Sequence, residues 1–332
     1  MHRFDAIKGN QRIKDILQHM AITGKVSHAY ILQGAAGMGK RLFADTFAKR
    51  LQCSDSTSGE ACGVCSSCIA FNSGNHPDLF YILPQKTKTL GVEDIREQIV
   101  KNAEIKQYRY PYKIFIVEHA DSMTVAAQNA LLKTLEEPPS YVLFLLLAEN
   151  LNGFLPTILS RCVVMKLMPI PQREIEEYLV QHQLAEGNTA AMVAEYAQGS
   201  IGQAIELASS EDFLAMRQEI LSILENIKEK DKPTLLEQAK QLEAYKQDYR
   251  FLDIATVWYR DILVAKTFGD GRFLIQKEKE KQLLHHAAKD SIQGILKKQH
   301  IIQETKQLLT QNANFRLAME IMLIKLKESY NS

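Results

Sequence analysis

Ala29-Tyr30-Ile31-Leu32-Gln33 runs directly into Gly34-Ala35-Ala36-Gly37-Met38-Gly39-Lys40, and an amphipathic stretch over 41–52 follows. A short apolar run, a glycine-rich turn and a helix, in that order, are the context a phosphate-binding loop requires. The turn's glycines let backbone N–H groups converge on an anion. Lys40 reaches toward the terminal phosphates, and the helix N-terminus adds partial positive charge. Gly34, Gly37, Gly39 and Lys40 are therefore candidate phosphate-binding residues.

Downstream of the loop, 79–83, 113–117, 142–147 and 163–167 also read as strands, with helices near 92–105 and 122–137 between them. That alternation predicts a parallel α/β sheet. At Met168-Pro169-Ile170-Pro171 two prolines remove backbone donors and disfavour helix before them, which marks a boundary. Beyond it the strand signals stop. Residues 172–209 read as a compact set of helices punctuated by Gly187 and Gly199, and the rest is helical by period. Leu252, Ala255, Tyr259 and Ile262, and likewise Leu317, Ile321 and Ile324, recur at helical steps and read as bundle core. Residues 272–332 carry 11 basic and 6 acidic side chains, read as a solvated helical face.

The phosphate loop departs from the hydrolytic pattern. A Ser or Thr should follow Lys40 so that its hydroxyl can ligate Mg²⁺; the residue there is Arg41. The strand Ile114-Phe115-Ile116-Val117 should deliver an Asp for the metal and a Glu to prepare water, and it delivers Glu118-His119. Glu118 is longer than Asp but still anionic, whereas a neutral imidazole does not replace a carboxylate. Two outcomes are open: a loop that holds phosphate without efficient cleavage, or an empty site.

Four of the five cysteines, Cys53, Cys62, Cys65 and Cys68, fall within sixteen residues as C-x8-C-x2-C-x2-C. Four thiolates closing a tetrahedral shell are the structural zinc arrangement, with no open position for chemistry. An iron–sulfur run would need a further cysteine at position 72, which is Asn72, and uncoordinated thiols are the remaining alternative. A nucleic-acid contact at this loop is disfavoured by Asp55 and Glu60 within it. Cys162 stands alone and reads as a buried thiol.

The 332 residues are 46% apolar and 24% charged, the composition of an ordinary globular protein, which excludes disorder and collagen-like repeats. Lys plus Arg exceeds Asp plus Glu by one, so no global field announces nucleic acid or membrane. The longest apolar run, Tyr141–Ala148, is far short of the ~20 residues that span a bilayer. Met1-His2-Arg3-Phe4-Asp5 lacks the apolar stretch of a secretion signal, and the clustered thiols suit a reducing compartment, so a cytoplasmic location is expected.

Three stretches carry a resemblance: His28-Ala29-Tyr30 leading into the phosphate loop, Asn129-Ala130-Leu131-Leu132-Lys133-Thr134-Leu135-Glu136-Glu137-Pro138-Pro139, and Leu155-Pro156-Thr157-Ile158-Leu159-Ser160-Arg161-Cys162. With the cysteine cluster after the first loop helix, the sequence resembles bacterial clamp-loader AAA+ subunits over most of 1–210. Toward the C-terminus the likeness rests on helicity and Asn312-Ala313-Asn314-Phe315-Arg316.

The resemblance implies α/β plus all-α architecture. A AAA+ nucleotide-binding-like core would cover 1–168 with a zinc module at about 53–76, a small helical lid 169–209, and a helical collar 210–332. Motor members keep the full phosphate loop, an Asp-Glu pair and a lid arginine in a Gly-Ser-Met-Arg-like string. Here that string reads Gly199-Ser200-Ile201-Gly202, and the strand-end polar sensor falls on Ala148-Glu149-Asn150. These departures place the chain with the non-motor member whose site is degraded, without an ATPase of its own but part of the DNA-directed DNA polymerase III holoenzyme, a nucleotidyltransferase. The alternative is an ATP-hydrolysing motor subunit.

In the family, the arginine of the Ser-Arg-Cys string projects to ATP held by the adjacent motor subunit, which gives Arg161 the role of an arginine finger in trans. On spacing alone, Arg161 is equally a strand cap or the partner of a surface acid. Lys133, Glu136 and Glu137 read as a solvated helix end stopped by Pro138. The implied partners are the motor subunits (tau/gamma) and delta in a five-subunit ring, with the sliding clamp and primed DNA met through the complex.

Overall fold

The computed structural model describes residues 2–55, 58–84 and 89–330; Met1, residues 331–332, and Ser56 and Thr57 of the expected zinc module lie outside them. Two compact units are present, Met1–Pro171 with Gly199–Gln203, and Gln172–Gln198 with Ala204–Ser332.

The first unit is built on five strands, β1 (Ala29–Gln33), β2 (Leu79–Ile82), β3 (Lys113–Val117), β4 (Val142–Ala148) and β5 (Val163–Lys166), in the order β2-β3-β4-β1-β5. Every pairing is parallel. Side chains on successive residues alternate between two cores, as the pleat demands. Ile31, Phe115, Val117, Phe144 and Leu146 face one; Tyr30, Leu32, Ile114, Ile116, Leu143 and Leu145 face the other. Phe80, Phe115 and Phe144 stack across adjacent strands at centroid distances of 5.2 and 5.4 Å.

Helices cover both faces, which is why the strands read as continuous apolar runs. One side holds α1 (Gln11–Thr23) and α2 (Lys40–Gln52), burying Leu17, Phe43 and Phe47. Between β1 and β2 also lies α3 (Ser66–Asn72). The other side holds α4 (Val92–Ile95), a π turn at Arg96–Val100, α5 (Lys101–Ala103) and α6 (Val125–Glu136). The helix expected over 122–137 starts later because Ala120–Ser122 forms a 3-10 turn. Thr124 then caps α6, its Oγ1 accepting from Ala127 N at 3.2 Å. A short α7 (Pro156–Leu159) precedes β5.

The chain continues through α8 (Gln172–Gln181), α9 (Gly187–Tyr196), α10 (Ile201–Ser209), α11 (Glu211–Glu225), α12 (Lys232–Gln241), α13 (Arg250–Phe268), α14 (Glu280–Lys289), α15 (Ile292–Thr310) and α16 (Phe315–Glu328). The α13 stripe Leu252, Ala255, Tyr259 and Ile262 is buried, together with Trp258. The α16 stripe is corrected: Leu317 and Ile321 are exposed, and the buried face is Ala318, Met319, Met322, Leu323 and Leu326. The two stripes are neighbours on the helix, and the packed one holds one more apolar row. Fully buried Lys298 pairs with Asp290 and sits 3.4 Å from the Tyr330 ring centre, so its charge is compensated.

Candidate functional site

Because β1 and β3 flank β4 in register, Gln33 lies opposite Ala148 and Val117 opposite Leu146. The ends of all three strands, Gly34, Glu118 and Glu149, therefore reach the same edge of the sheet, where open α/β sheets bind ligands. A cleft of about 480 Å³ lies there, lined by His2, Lys40, Arg41, Asp45, Glu118 and Glu149 among others.

The loop has the expected backbone, with Gly37 and Gly39 at φ of 72° and 86°, values only glycine adopts without strain. Several of its carbonyls, however, are bonded from within the unit. Lys40 Nζ donates to the carbonyls of Gly34 at 2.6 Å and Ala35 at 2.9 Å. Burial lowers the Lys40 pKa, and Glu149 and Asp121 partly restore it. Ser200 Oγ donates to Ala36 O at 3.1 Å and Gly202 N to Gly37 O at 3.0 Å. A Cβ on Gly202 would stand 2.6 Å from Gly37 O and 2.9 Å from its Cα, so backbone packs on backbone where the resemblance expects a long side chain.

Arg41 and Glu118 form an ion pair. The same guanidinium donates through Nε to Asp45 at 2.9 Å and lies 3.9 Å from the Tyr81 ring centre. Tyr81 donates its hydroxyl to Asp45 at 3.0 Å, and burial, then the Asp45 charge, push its pKa up to about 12. Two of the three carboxylates that line this cleft, Asp45 and Glu118, are thus already engaged by one arginine. His119 follows with a left-handed backbone, φ 48°. Asp121, which the sequence did not single out, accepts from Glu149 N at 3.0 Å and Asn150 N at 3.2 Å and fixes the end of β4.

Arg161 lies at the other end of the sheet. Val163, the first residue of β5, pairs with Tyr30, whereas the loop begins after Gln33, which pairs with Lys166. Arg161 Nη2 is 2.8 Å from Glu136 Oε1, and Nη1 donates to Thr157 O at 3.0 Å and Ser160 Oγ at 3.2 Å. The surface-acid reading of Arg161 is what the free chain exhibits, and Glu136 is more than a solvated helix end. Cys162 is half-buried, and burial pushes its thiol up to about 12.

The sulfurs of Cys53, Cys62, Cys65 and Cys68 all lie within 4.8 Å of one another, and Cys53 and Cys65 are 4.0 Å apart. Tetrahedral Zn–S bonds of 2.3 Å put sulfurs about 3.8 Å apart, so the four donors fit a closed metal shell. Backbone N–H groups of Cys62 and Cys65 point at the sulfurs of Cys53 and Cys62, at 3.3 and 3.4 Å. The loop is fastened to the unit by Glu60, whose carboxylate accepts from Phe4 N at 3.0 Å and Gln18 Nε2 at 3.0 Å. Buried Arg50 adds a bond to Ser58 O at 2.7 Å.

Comparison with known proteins finds subunits of DNA polymerase III. The sequence profile described as DNA polymerase III, delta subunit, matches residues 9–171. DNA polymerase III subunit delta' of Bacillus subtilis is 28% identical over 323 residues, covering 96% of both chains. The chain is thus similar to a DNA polymerase III delta' subunit along almost its whole length. Other relatives agree: subunit delta' of Pseudomonas aeruginosa is 38% identical over 149 residues, 44% of each chain. Subunit tau/gamma of Haemophilus influenzae is 32% identical over 231 residues, covering 68% of this chain and a third, 33%, of that longer protein. The solved gamma-subunit-related protein of Thermotoga maritima aligns over 96% of this chain and 99% of its own at 17% identity and a TM-score of 0.42. No helix among the described residues is long and apolar enough to cross a membrane.

Proposed function

We propose that this chain is the delta-prime subunit of the replicative clamp loader, a part that does not hydrolyse ATP. The observation that carries the reading is the Arg41–Glu118 ion pair. Hydrolysis at a phosphate loop needs a hydroxyl and a carboxylate sharing Mg²⁺ and a second carboxylate to orient water. Here a fixed cation takes the metal's side of the rim and His119 stands in the water-orienting position. Lys40 bonded to its own loop supports the same reading.

What the chain contributes is Arg161, acting in trans. At the strand-start edge of its own sheet it faces away from its own loop, so any ATP it serves is held by another subunit. Such a finger is worth about 10³–10⁵ in rate in nucleotide hydrolases. Its recipients are the tau/gamma motor subunits, assembled with delta into a five-subunit ring that places the sliding clamp on primed DNA in the cytoplasm. In this reading 1–168 is the AAA+ core, 169–209 the lid and 210–332 the collar. A structural zinc held by Cys53, Cys62, Cys65 and Cys68 braces the loop between β1 and β2.

The test is ATP turnover by the purified chain alone, expected at background, against the DNA-stimulated ATPase of the reconstituted complex, expected to fall with Arg161→Ala. Steady turnover by the isolated chain that Lys40→Ala abolishes would establish a motor instead.

A further inference from the structure

Two of the strings that mark this family, Leu131–Pro139 and Leu155–Cys162, pack in one core and are also joined by an ion pair. It joins Glu136, the last residue of α6, to Arg161, which follows α7. The side chains are 34% and 49% exposed, Arg161 first. An exposed pair of this kind stabilises a fold by only about 0–1 kcal/mol, so stability is a poor account of it.

The hydrogen-bond inventory of the guanidinium points elsewhere. Of its five N–H donors, two are taken by Thr157 O and Ser160 Oγ and one by Glu136. Oxygens of its own chain thereby hold both terminal nitrogens, and two donors remain for an anion arriving from outside. A free arginine side chain loses about 2 kcal/mol of rotamer entropy when it is fixed. Here that cost is met before any partner docks, and the planar fork is presented in one orientation.

We propose that Glu136 is a positioning residue for Arg161: it holds the guanidinium pre-organised for the phosphoryl group of ATP on the adjacent subunit. The inference rests on the reading of Arg161 as a finger in trans. Glu136 touches no substrate. Its carboxylate aligns the charge that does, and because it engages only one of the terminal nitrogens it steers the fork without occupying the remaining donors. A residue in this role acts in the transition state more than in ground-state binding, so its loss lowers kcat and leaves KM nearly unchanged.

The experiment is steady-state, DNA-stimulated ATPase of the reconstituted clamp loader carrying wild-type chain, Arg161→Ala, Glu136→Ala or Glu136→Gln. Glu136→Ala is expected to reduce the Arg161-dependent part of kcat about tenfold, since a misplaced catalytic group costs up to roughly a hundredfold, with KM for ATP within about twofold of wild type. Glu136→Gln, whose amide oxygen still accepts from Nη2, is expected to recover most of the rate. Melting of the isolated variants should match wild type, which separates positioning from folding; should Glu136→Ala fold poorly, Glu136→Gln against Glu136→Lys makes the same comparison. If Arg161→Ala lowers the rate while both Glu136 variants equal wild type, or if Glu136→Ala raises it, the positioning role is wrong and the finger stands. If Arg161→Ala changes nothing, the finger reading itself falls.

Discussion

The guanidinium of Arg41, in the first turn of α2, is ion-paired with the carboxylate of Glu118 at the end of β3, and the two elements meet across β4. A single side chain therefore closes the space in which a hydroxyl, a cation and an acid would otherwise assemble. Removing it isolates its effect. Arg41→Thr restores the hydroxyl and uncovers Glu118 and Asp45, so the variant should bind ATP at least about tenfold more tightly with Mg²⁺ than in chelator, by calorimetry. Hydrolysis should stay at background because His119 is unchanged. Equal Mg²⁺ dependence in wild type and variant would remove Arg41 as the block.

Restoring the lid arginine of the motor subunits should fail for a steric reason. Gly202 packs its backbone against Gly37, and a Cβ there meets Gly37 O at 2.6 Å. Gly202→Arg is expected to cost about 1–3 kcal/mol, as overpacking of a close contact does, and to lower Tm by several degrees without creating nucleotide affinity. A variant as stable as wild type would mean that this backbone contact yields freely.

Metal content follows from the cysteine geometry. Gently purified chain should contain one zinc per molecule by elemental analysis, and Cys68→Ser, at a fully buried sulfur, should contain almost none. Because Glu60 ties the same loop to Phe4 and Gln18, losing the metal should also expose Ser58–Glu60 and the N-terminal segment to limited proteolysis. An unchanged digestion pattern after chelation would show that Glu60 and Arg50 hold the loop unaided.

Much of the first unit was legible because its central strands, β1, β3 and β4, are buried on both faces. Runs such as Ile114–Val117 and Val142–Ala148 carry no polar interruption, and the structure ends them within a residue or two of where the sequence does. The start of α6 was less legible, since Asp121 and Ser122 suit a turn as well as a first helical turn. The phosphate-loop residues, Arg41 and Glu118 were visible as departures from a pattern, but their mutual neutralisation was not, because it depends on strand order. Glu136 with Arg161 and Asp121 with Glu149 are non-local pairs that no spacing announces. On α16 two adjacent apolar rows compete at the same period, and periodicity alone cannot choose the buried one.

The strand order has a consequence for synthesis. Both neighbours of β1, namely β4 and β5, leave the ribosome more than a hundred residues after it. At about 5–20 residues per second, the apolar segment Ala29–Gln33 waits roughly 5–20 s before either partner exists. During that interval the nascent chain offers an unpaired strand edge, so aggregation on overexpression should begin there, and a chaperone that shields the emerging segment should raise the yield of native protein.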